Sequence, residues 1–125
     1  MTDQSPDLGD LLEQPDPSFQ NVLSCVFGIQ DHEVRTYVAL LDQPGSTVEE
    51  LANRLERDRS NVNRSLSTLL ERGLVERERR LLDSGGYVYQ YTGVDLPEAK
   101  ELLHAALDEW TEHVHGVIEA FDGDV

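Results

Sequence analysis

Apolar residues recur every three or four positions along most of the chain, then switch to period two over one short stretch. Ser18 is a capping residue. Behind it Phe19, Val22, Leu23, Val26 and Phe27 fall on one helical face, closed by Gly28. A second helix is predicted with Asp31 as N-cap, Val34, Val38 and Leu41 on one stripe, and Tyr37 beside it. Pro44-Gly45 ends it. Thr47-Val-Glu-Glu50 is a capping box, in which side chains at the first and fourth positions satisfy each other's backbone donors. It opens a third helix burying Val48, Leu51, Ala52 and Leu55. After the turn Glu56-Arg57-Asp58, a fourth helix runs from about Arg59 to Arg72. Its inner face is Val62, Leu66, Leu69 and Leu70, and Gly73 caps it.

The period then changes. Leu74 to Leu82 reads as a strand, unusually charged between Glu76 and Arg80. Asp83-Ser84-Gly85-Gly86 is a hairpin turn, and Tyr87 to Tyr91 alternates as the return strand. A long helix follows from Pro97, a first-turn proline, to Phe121. Its stripe is Ala99, Leu103, Ala106, Trp110, Val114, Val117 and Phe121. The predicted fold is mainly α with a small β-hairpin wing: a winged helix-turn-helix over residues 18–96, with an N-terminal helix over 18–27 that also serves dimerisation. Residues 97–121 form a C-terminal dimerisation helix, and the acidic, proline-bearing residues 1–17 a disordered tail.

Composition narrows the setting. With 25 Asp and Glu against 10 Lys and Arg, the formal net charge is −15, and Lys100 is the only lysine. Such a balance excludes a polybasic membrane-surface protein and, taken whole, argues against binding a polyanion. It points to a salt-accumulating cell, because at molar salt the Debye length falls to ~3 Å and carboxylate repulsion nearly vanishes. No stretch approaches the ~20 apolar residues of a membrane span, and Met1 to Pro17 lacks the cations and apolar run of a secretory signal. A cytoplasmic protein is expected, with no membrane partner.

Locally the charge reverses. Between Arg54 and Arg80 eight arginines face five acids, a net of +3, leaving two cations against twenty acids, −18, on the remainder. Within that segment the outer face of the fourth helix reads Arg59, Ser60, Asn61, Asn63, Arg64, Ser67 and Thr68. Arginine can pair bidentately with guanine O6 and N7 and asparagine with adenine N6 and N7, while hydroxyls suit phosphate or either base. The third helix would brace this one in a major groove of double-stranded DNA.

At this point the chain resembles the archaeal winged-helix regulators grouped with TrmB and MarR. The likeness lies in Leu40-Leu41, Thr47-Val48-Glu49-Glu50-Leu51-Ala52-x-x-Leu55, Arg59-Ser60-x-Val62-x-x-Ser65-Leu66-x-x-Leu69 and Glu71-Arg72-Gly73-Leu74-Val75. It covers Phe27 to about Leu103; the acidity and the short dimerisation helix suggest a haloarchaeal member, and the resemblance extends to reactive-oxygen-responsive regulators of this group, which implies a role in oxidative stress. The resemblance implies that Ser60, Asn61, Asn63 and Arg64 face bases while Arg59 and Ser67 meet phosphates, with Thr47 on the backbone. Arg77, Arg79, Arg80 and the Ser84-Gly85 tip would lie in or beside a minor groove, with Tyr87 nearest the tip. The hairpin arginines could instead pair across strands with Glu76 and Glu78. Glu56 stands where a glycine often occupies the turn; in a left-handed conformation it costs about 1–2 kcal/mol. A sugar-binding C-terminal domain of the kind long TrmB proteins carry is not expected here, and no small-molecule effector is identified.

The first and last helices carry more apolar surface than a small monomer exposes. Phe19, Val22, Leu23 and Val26 are therefore expected at a homodimer interface. Leu103, Ala106, Trp110, Val114, Val117 and Phe121 join them, the pair reading an inverted repeat about one turn apart. Cys25 is expected as a buried thiol there rather than a redox sensor, lacking a neighbouring cation or a second cysteine. His113 and His115 point apart on a helix, and His104 with Asp108 has no third ligand, so no metal is expected. No nucleophile–base pair or phosphate cradle appears, so neither an enzyme nor a cofactor is expected, beyond K⁺, Na⁺ and Cl⁻ ions at the surface. An adaptor using the same fold without DNA is the alternative function.

Overall fold

A computed structural model describes residues 18–124, so the expected tail over residues 1–17 lies outside the described residues. Helix α1 is α-helical over Phe19–Val22 and continues as a π-helical turn over Leu23–Phe27. Ser18 caps it: its hydroxyl accepts from the Asn21 N–H at 3.1 Å, and the Asn21 side chain accepts in return from the Ser18 N–H at 3.2 Å. Gly28 closes the turn at φ +70°, donating its N–H to Ser24.

Helix α2 (Asp31–Asp42) begins one residue earlier than the sequence suggested. Gln30 is its cap, with the Glu33 carboxylate accepting the Gln30 N–H at 2.7 Å, and Asp31 is the first helical residue. Its buried face is Val34, Tyr37 and Leu40, whereas Val38, expected on that stripe, is 53% exposed. Val38 follows Val34 by one turn, but Tyr37 and Leu40 continue the seam with bulkier groups, rotating Val38 outward. Helix α3 (Val48–Leu55) keeps its predicted capping box: Thr47 Oγ1 accepts from the Glu50 N–H at 3.1 Å and Glu50 accepts from the Thr47 N–H at 2.9 Å. Helix α4 (Arg59–Glu71) buries Val62, Leu66 and Leu69 against α2 and α3.

Strands β1 (Val75–Leu81) and β2 (Tyr87–Gly93) pair antiparallel, with Val75 opposite Gly93 and Leu81 opposite Tyr87. The loop before α3 adds one more rung. Tyr91 donates its N–H to Ser46 and accepts from Gly45, both at 2.8 Å. Helix α5 (Leu96–Ala120) closes the chain, with Pro97 in its first turn. Five helices and one hairpin among the described residues match the expected fold class.

The core is sealed where α2 meets the end of β2. The Tyr37 hydroxyl donates to the Val94 carbonyl at 2.7 Å, and the ring passes under Gly93. A methyl there would lie 3.2 Å from Tyr37 Cε1 and 3.3 Å from Cδ1. Gly93→Ala should therefore destabilise the fold by about 1–3 kcal/mol in thermal unfolding, since neither ring nor strand can retreat. Burial raises the Tyr37 hydroxyl above its ordinary value of 10.0, helped by the Asp95 and Glu98 carboxylates. Below that value folded and unfolded chains both hold the proton; above it the unfolded chain releases it first, so stability falls as pH rises. Tyr37→Phe should cost about 1 kcal/mol at neutral pH through the lost hydrogen bond. Its denaturant midpoint should also decline less on going above pH 10.0 than that of the wild type.

Candidate nucleic-acid interface

Burying Val62, Leu66 and Leu69 turns the opposite side of α4 to solvent. Arg59, Ser60, Asn63, Arg64 and Ser67 are exposed there, while Asn61 and Thr68 are half-buried. Three of these, Asn61, Arg64 and Thr68, are bonded to one another within the helix. Arg64 donates to the Asn61 side-chain oxygen, and Thr68 Oγ1 donates to the Arg64 carbonyl at 3.3 Å. The first bond holds an Arg fork beside an amide whose NH₂ remains free. Behind the helix, the buried Ser65 hydroxyl accepts from Arg57 Nη1 at 3.1 Å. Glu56, the residue before Arg57, does adopt the left-handed conformation, φ +54°, the only such non-glycine among the described residues.

The charged strand has a simple order. Successive side chains point to opposite faces, so the alternation Glu76-Arg77-Glu78-Arg79 sorts the two signs. Arg77 and Arg79 share a face with Leu81 and with Tyr87, Tyr89 and Tyr91 across the strand; Glu76, Glu78 and Arg80 share the other with Gln90 and Thr92. Arg77 and Arg79 therefore do not pair with Glu76 or Glu78. The Arg77 Cζ lies 4.2 Å from the Tyr89 ring centroid, and the Arg79 Cζ 4.9 Å from that of Tyr87. The arginine–carboxylate ion pair found among the described residues joins Arg54 to Asp42 at 2.9 Å, outside the wing.

The tyrosine face and α4 form the walls of one groove of about 400 Å³, lined by Arg59 and Asn63 on one side and Tyr87, Tyr89 and Tyr91 on the other. Thr47, Val48 and Glu49, the start of α3, lie along it. Thr47 and Arg59, predicted for the backbone, are thus brought together with Asn63 and Tyr87. Tyr89, Val48 and Glu49 are groove residues that sequence reading missed. The signal for Tyr89 was its place in a period-two run opposite alternating charges. Arg80, Ser84 and Gly85 lie outside this groove: Arg80 on the opposite face, the other two at the tip, where Gly85 takes φ +93°.

The apolar residues of the first and last helices divide. Leu23 and Leu103, expected between subunits, belong to the chain's own core, and Val22 and Val26 are half-buried against it. An amphipathic stripe states that a face is covered, not by whom. Beyond Leu103 the stripe is open: Ala106 and Val114 are half-buried, Trp110 is 50% and Phe121 63% exposed, and Val117 and Phe19 are exposed as well. Ile118, outside the predicted stripe, adds to this surface. Cys25 is exposed rather than buried. With Trp110 and His113 it lines an open crevice of about 850 Å³ between α1, the end of α4 and α5. No group of three His, Cys, Asp or Glu able to hold a metal ion occurs among the described residues, nor a helix long and apolar enough to cross a membrane.

Residues 23–96 match the family model described as "Sugar-specific transcriptional regulator TrmB". An uncharacterized protein of Methanocaldococcus jannaschii, MJ1503, is 31% identical over 105 residues, which span 84% of this chain and 80% of that one. Among solved structures, a possible transcriptional regulator from Methanosarcina mazei Go1 superposes with a TM-score of 0.72 at 22% identity, covering 82% of this chain and 88% of that one. A MepR variant of S. aureus bound to an oligodeoxyribonucleotide shares the fold at a TM-score of 0.53 and 17% identity, over 83% of this chain and 73% of its own. Winged helix, capping box, recognition-type helix and family match together place this chain in the TrmB family of winged-helix transcriptional regulators.

Proposed function

We propose that the protein is a homodimeric, sequence-specific DNA-binding regulator of a salt-accumulating archaeon. The observation that carries this is the merging of two unlike elements into one surface. Arg59 and Asn63 of α4 line one groove with Tyr87, Tyr89 and Tyr91, and the wing face bearing these tyrosines also carries Arg77 and Arg79 and none of the hairpin's glutamates. With α4 in a major groove, the groove beside it is where the sugar–phosphate strand passes before the wing reaches the next minor groove. Asn63 and Arg64 would then read base edges with Ser60 and Asn61. Arg59, Ser67 and the N-terminus of α3 at Thr47 would take phosphates, and the wing arginines and the Ser84-Gly85 tip the minor-groove side. That the MepR structure of the same fold holds an oligodeoxyribonucleotide supports DNA as the partner.

The exposed run from Trp110 to Phe121, with Phe19, is proposed as the face that pairs two copies into a reader of an inverted repeat. A response to oxidants rests on family resemblance alone, with Cys25 as the one thiol available to it. Surface K⁺, Na⁺ and Cl⁻ ions belong to the proposed high-salt cytoplasm.

Selection of tight-binding duplexes from a random pool in molar KCl should yield a two-fold symmetric site. Asn63→Ala and Arg64→Ala should each weaken that site by about 1–3 kcal/mol and relax preference at one base position. Binding unchanged by both would favour an adaptor that does not read DNA. Sedimentation should show a species of twice 14.1 kDa, and Trp110→Glu should return it to the single-chain mass with loss of symmetric-site binding. A wild-type species of single-chain mass would remove the dimer.

A further inference from the structure

The wing contains a repeated arrangement that the DNA-binding reading does not require. In strand register Arg77 stands opposite Tyr91 and Arg79 opposite Tyr89. Each guanidinium nevertheless lies over the ring one step nearer the tip, Arg77 over Tyr89 at 4.2 Å and Arg79 over Tyr87 at 4.9 Å. An equal offset at two successive rungs follows from the twist of a two-stranded ribbon, which brings diagonal cross-strand neighbours together. The three rings are themselves in contact, with centroids 5.4 Å apart for Tyr87–Tyr89 and 6.5 Å for Tyr89–Tyr91.

The ladder is anchored at one end. Tyr91 is buried and its backbone is bonded on both sides to Gly45 and Ser46, whereas Tyr89 is half-buried and Tyr87 51% exposed. Stacking engages the face of a guanidinium and leaves its N–H edge free to donate. Neither glutamate of the strand competes for those donors, because Glu76 and Glu78 point the other way.

We propose that Tyr89 and Tyr87 are positioning residues, acting through Arg77 and Arg79 rather than on DNA themselves: the rings hold the two guanidiniums at fixed places along the wing, edges outward, for phosphate oxygens. This rests on the DNA-binding reading above. A held side chain has less rotamer freedom to lose on meeting phosphate than a free one. The role is independent of base sequence, so it should affect specific and non-specific duplexes alike.

The test is a double-mutant cycle on the full chain, with a fluorescent duplex carrying the selected site and a random-sequence duplex of equal length. Tyr89→Leu should weaken both duplexes about twofold to fivefold, the range of one exposed cation–π contact. Tyr89→Phe should bind like the wild type, because the ring is kept. In an Arg77→Ala background, Tyr89→Leu should have no further effect. In the DNA-free protein, the Arg77 δ-methylene protons should be shifted upfield by the ring and return on Tyr89→Leu but not on Tyr89→Phe. Thermal unfolding of each variant separates these effects from loss of the hairpin. Additive losses, or Tyr89→Phe as damaging as Tyr89→Leu, would overturn the positioning role alone, the second outcome placing the hydroxyl on DNA directly. Wild-type protein that binds neither duplex would overturn the DNA-binding reading and this role with it.

Discussion

The groove depends on how the hairpin is fixed to the helices, and that rests on Tyr91. Its N–H and carbonyl bond to Ser46 and Gly45, which lead directly into the capping box of α3. Its ring is buried with the core. One residue thus joins the wing by backbone to the bracing helix and by side chain to the interior. Two residues on, Gly93 lets β2 lie against Tyr37, whose hydroxyl fastens Val94. A two-stranded hairpin is only marginally stable alone. These attachments give it a set direction relative to α4, so residues far apart in the chain, Asn63 and Tyr87, face one space.

The second constraint is the pleat. A strand reading Glu-Arg-Glu-Arg looks self-neutralising when written as a line. On a pleated ribbon the two signs separate, and each arginine meets an aromatic face in place of a carboxylate. Local charge therefore gives a better guide to the surface than net charge, and charge by face a better one still. The +3 between Arg54 and Arg80 understates the asymmetry, because Glu76 and Glu78 lie on the opposite face of the wing from the groove.

What could be read in the sequence follows from how local each feature is. The caps at Ser18, Thr47 and Gly28 involve residues within a turn of each other, and all three formed as expected. The outer face of α4 was legible because its apolar seam is narrow and regular. The seam of α2 was misphased, since Val34, Val38 and Leu41 make as good a helical row as Val34, Tyr37 and Leu40. Only the neighbouring strand and helices decide between them. Leu23 and Leu103 were assigned to a partner subunit for the same reason. The stacking of Arg77 and Arg79 needed register and twist together, neither of which is written in one strand.

The remaining −18 bears on how the proposed interface would operate. Glu49 lies in the same groove as Arg59, and Asp83 stands at the wing tip. A phosphate strand laid along this surface would approach those carboxylates as well as the arginines. An ordinary basic interface gains free energy by releasing cations from DNA, and so weakens as salt rises. An interface that also brings carboxylates toward phosphate must gather cations between them, which opposes that trend. Stacked guanidiniums suit such a surface: their attraction to a ring falls less with ionic strength than a solvent-exposed ion pair would, because the two groups are in contact and share no intervening solvent. The acidity that argued against DNA binding thus becomes, on this reading, a condition on the arginines. They must be held by aromatic rings rather than by acids, and in the wing two of them are.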